Sequence, residues 1–101
     1  MTHTIEQLTA LFNKAADAAR NSLTGDDGGS CNLDICYVKR EPGMMIALEK
    51  SILSSIPTAG LFIAIMPQYQ RQGFERTSQC QAIAKVFNEA GIEAYVEYIM
   101  D

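Results

Sequence analysis

The chain has a single histidine, His3, near its beginning. A cysteine nucleophile ordinarily hands its proton to such a base, so a Cys–His catalytic pair is not expected. One histidine and three scattered cysteines also supply no clustered ligand set for zinc. The cysteines, Cys31, Cys36 and Cys80, are odd in number and lack C-x-x-C spacing. They read as reduced thiols in a cytoplasmic protein, not as a disulfide framework. Basic residues are few: eight against twelve acidic, for a net charge of −4. That excludes nucleic-acid binding driven by phosphate contacts. No apolar run approaches the roughly 18–20 residues of a membrane span. The first residues carry no basic region followed by an apolar core, so no signal peptide is expected. The glycines at 25, 28 and 29 have no following lysine and do not lie between a strand and a helix, so there is no phosphate-binding loop. No cofactor and no metal are expected.

What is present reads as one domain over residues 1–101. Thr4-x-x-Gln7 is a capping box opening a helix over 4–23, with Ile5, Leu8, Phe12, Ala15, Ala16, Ala19 and Leu23 as its apolar stripe. A glycine- and aspartate-rich loop follows. Ser30, Asn32 and Asp34 alternate somewhat as calcium ligands do, but the glycine and glutamate of a calcium loop are misplaced. Residues 31–40 alternate as a strand, and Leu33, Ile35 and Tyr37 are expected to face the core. Pro42 opens a second helix running to about Ser55, with Met45, Leu48, Ile52 and Ile56 as its stripe. Residues 61–66 are apolar on both faces, which fits an internal strand. Residues 68–74 are a weak candidate for a further strand. Ser78-x-x-Gln81 is a second capping box, and Gly91 a left-handed helix end. Residues 92–100 alternate once more, with Ile92, Ala94, Val96, Tyr98 and Met100 inward. The predicted fold is α+β: an N-terminal helix, then a ferredoxin-like βαβ(β)αβ two-layer sandwich of three or four strands over 31–100. Two helices would cover one sheet face. The first helix or a second subunit would cover the other.

Three segments carry a resemblance: Gly28-Gly29-Ser30-Cys31-Asn32-Leu33-Asp34; Gln72-Gly73-x-x-Arg76-Thr77 leading into a helix; and Tyr95-x-x-Tyr98-x-Met100-Asp101. Together they resemble a small family of uncharacterised bacterial proteins, mainly from Firmicutes, with a GG[ST]CNFD motif, a central glycine-rich loop ending Arg-Thr, and a tyrosine-containing end closing in Met-Asp. Leu33 stands where that pattern has phenylalanine, and the central loop is poorer in glycine. The resemblance implies no activity. It implies that Cys31, Asn32, Asp34, Arg76 and Thr77 are the positions to watch.

The candidate site is built from the 25–34 and 68–77 loops. Arg71 and Arg76, with the N–H groups that open the third helix, can hold a small anion. The alternative is that Arg76 pairs with an aspartate of the 26–34 loop and pins the two loops together. Cys80 at a helix start would be activated by the dipole if exposed, but its place on the apolar stripe favours a buried structural role. Cys31 beside the glycine-rich loop is the better candidate thiol. Asp34 and Glu97 (or Glu93) would share the outer sheet face and act as paired carboxylates, or serve only to solvate it. The expectation is a cytoplasmic, homodimeric binding or interaction module with an anionic ligand or a protein partner. The alternative is a small enzyme using Cys31 or the Asp34/Glu97 carboxylates.

Overall fold

The computed structural model describes residues 3–22, 34–56, 60–66 and 74–98. The first element is α1, Ile5–Asn21. Thr4 is its N-cap, and the capping box is complete. Thr4 Oγ1 accepts the Gln7 N–H at 3.1 Å, and Gln7 Oε1 accepts the Thr4 N–H at 2.8 Å. Such a cap is worth about 1 kcal/mol. Leu8, Phe12, Ala15, Ala16 and Ala19 are buried, as the stripe predicts. The alanines let the helix approach its neighbours closely. Glu41 Oε1 accepts the His3 N–H at 2.8 Å and lies 3.0 Å from His3 Nδ1, so the entry to α1 is docked on the turn before the next helix.

β1 is Ile35–Lys39, α2 Met44–Glu49, β2 Ser54–Ile56, β3 Phe62–Met66, α3 Phe74–Glu89 and β4 Ala94–Glu97. The four strands form one sheet in the order β2-β3-β1-β4, with every pairing antiparallel. α1 packs on α3 and α2, in one helical layer. Phe12 meets Phe87 edge-on at 5.1 Å between ring centroids. α1 therefore does not cover the second sheet face. That face carries a ring cluster instead: Tyr37 stacks on Tyr95, and Phe62 meets Tyr95 edge-on, both at 5.2 Å.

Three expectations need correction. In β1 the faces are reversed: Cys36 and Val38 are fully buried, while Ile35 and Tyr37 are half-buried on the outer face. Alternation separates two sets of residues but does not say which set the helices cover. The second helix stops at Glu49, well short of Ser55. Ser51 Oγ donates to the Leu48 carbonyl at 2.8 Å and accepts the Leu53 N–H at 3.2 Å, a local side-chain loop that ends the helix. Its buried residues are Met44, Ala47 and Leu48, while Met45 and Ile52 are exposed. The chain released by this stop forms β2, so the fourth strand lies at 54–56. Phe74, the end of the weak strand candidate, begins α3; residues 67–73 lie outside the described residues. α3 thus starts ahead of Ser78, which does not cap it. Its far end is as predicted. Gly91 has φ +84°, and the Ile92 N–H reaches the Phe87 carbonyl at 2.9 Å, which closes the helix.

Candidate functional site

Asp34 sits at the entrance to β1 and is 1% exposed. Arg76 and Thr77 lie in the first turn of α3. Helix and strand meet so that three α3 side chains converge on one residue. Arg76 Nε donates to the Asp34 main-chain carbonyl at 2.9 Å. Cys80 Sγ donates to the same carbonyl at 3.4 Å. Thr77 Oγ1 donates to the Asp34 carboxylate at 2.5 Å. The predicted meeting of Arg76 with an aspartate of the 26–34 loop therefore occurs, but through the backbone carbonyl; it is Thr77 that takes the carboxylate. A buried carboxylate costs free energy unless such donors surround it.

Of the expected site residues, Asp34, Arg76 and Thr77 come together. Cys31, Asn32 and Arg71 lie outside the described residues. The Asp34/Glu97 pair does not form. Ile35 is the residue opposite Glu97, so Glu97 shares the outer face with Ile35 and Tyr37, whereas Asp34 points with Cys36 toward the helices. Burial raises the Tyr37 hydroxyl above its ordinary value, and so do its hydrogen bond to Glu97 and the charge of that carboxylate.

Neither described cysteine is placed as an exposed, activated thiol. Cys80 lies in the second turn of α3, not the first, and is fully buried. Burial pushes its thiol up to about 12, with the Arg76 charge opposing and Asp34 adding. The Cys36 thiol is raised further, first by burial and then by nearby Cys80. A thiol held protonated neither attacks nor binds metal at neutral pH. Among the described residues no group of three or more metal-ligating side chains occurs. No helix among them is long and apolar enough to cross a membrane.

Sequence reasoning missed a second feature. A groove of about 540 Å³ runs between α3 and β4, with Ala84, Lys85, Asn88, Val96 and Tyr98 among its lining residues. Asn88 Nδ2 donates to the Ala94 carbonyl at 3.0 Å, and Asn88 Oδ1 accepts the Ala94 N–H at 2.9 Å. The one available signal is a polar amide three residues before the helix-ending Gly91, next to an alternating strand. Comparisons with protein-family profiles, curated proteins and solved structures give no significant match.

Proposed function

We propose that this chain is a small binding or interaction module whose partner surface is formed by the 25–34 and 68–77 loops. One observation carries the reading: Arg76 and Thr77, at the end of one loop, both bond Asp34, at the end of the other. The junction ties the two loop ends into a single presentation surface, and its own residues act as its support. An anion is the second reading. It would use the Nη hydrogens of Arg76, because the Nε hydrogen is committed to Asp34. The three residues at this junction are also ones that the resemblance to the bacterial family singles out.

The same proposal includes a ferredoxin-like plan with an added N-terminal helix. What supports it is the strand order β2-β3-β1-β4, with α2 between β1 and β2 and α3 between β3 and β4. It includes a cytoplasmic homodimer as well, supported by the exposed rings of the outer sheet face, where Tyr95 is 47% exposed. Native mass spectrometry of the purified protein tests this. A dimer of twice 11.1 kDa, a retained small anion lost in Arg76→Lys, or a co-purifying protein lost when the 68–77 loop is replaced would support it. A bare monomer with no retained species overturns it.

A further inference from the structure

We draw no further inference here: the strongest candidate, the groove between α3 and the edge strand β4, carries nothing, because nothing in the structure shows what covers it.

Discussion

Thr77 donates its hydroxyl to the carboxylate of Asp34, a residue 43 positions earlier in the chain. The bond closes the gap between the first turn of α3 and the entrance of β1. Thr77→Val keeps the shape and leaves Asp34, 1% exposed, with one donor fewer. Removing a donor from a buried acceptor costs about 1–3 kcal/mol. Urea unfolding is expected to show a loss of that order. Thr77→Ser, which keeps the hydroxyl, is expected to lose less than half as much.

Cys36 and Cys80 give a pH prediction. Both thiols are raised from the ordinary 9.0, Cys80 to about 12, first by burial. Above pH 9 the unfolded chain releases these protons and the folded chain does not, so the folded state loses ground. Their contribution is fully present below pH 9 and fades as pH rises through about 12. Tyr37, raised from 10.0, acts in the same direction. Thermal midpoints are expected to fall steeply between pH 9 and 11, and less steeply in Cys80→Ala compared with its own midpoint at neutral pH. At pH 8, an aromatic disulfide reagent is expected to label Cys36 and Cys80 only after denaturant is added.

Gly43 and Gly91 both have positive φ, +82° and +84°, but their surroundings differ. A Cβ on Gly43 would stand 2.9 Å from Ile5 Cγ1, whereas one on Gly91 meets nothing within 4 Å. Gly91→Ala is expected to cost about 1 kcal/mol, for backbone strain alone. Gly43→Ala is expected to cost more, with part of the excess returned in the Ile5→Ala background, where Cγ1 is gone. A double-mutant cycle by chemical denaturation measures the coupling, and strict additivity would refute the clash.

Asn88 and Ala94 are linked by two hydrogen bonds. Asn88→Ala is expected to cost about 1–2 kcal/mol and to speed hydrogen exchange at the Ala94 amide. Asn88→Asp keeps the acceptor for that N–H but turns a carboxylate oxygen toward the Ala94 carbonyl. It is expected to retain the amide protection only in part and to be no more stable than the alanine variant.

Local features were legible wherever they are satisfied within a few residues. Thr4 and Gln7 cap α1 because both partners lie on one turn. Gly91 ends α3 because left-handed backbone excludes most other residues. The phase of α1, from Leu8 to Ala19, was legible too, and so were Ile92, Ala94 and Val96 of the expected inward set; Tyr98 of that set is instead 59% exposed, and Met100 lies outside the described residues. The candidate site was legible only as residue types. Asp34, Arg76 and Thr77 could be picked out, but not that Arg76 would take a carbonyl and Thr77 the carboxylate, because those bonds span 42 and 43 residues.

The sequence by itself determined three helices, the positions of the first, third and last strands in chain order, and the chemistry of the start of α1 and the end of α3. Each depends on periodicity or on a cap made by near neighbours. Tertiary structure decided the rest. It chose Cys36 and Val38 over Ile35 and Tyr37 as the buried face of β1, because the pairings with β3 and β4 orient the strand and all three helices lie on one side. It stopped α2 at Glu49 and made 54–56 a strand, because β3 supplies an edge to pair with. It brought Asp34 under the first turn of α3 and left Val96 at the open edge of β4. Strand order and helix side are long-range choices, and no window of neighbouring residues contains them.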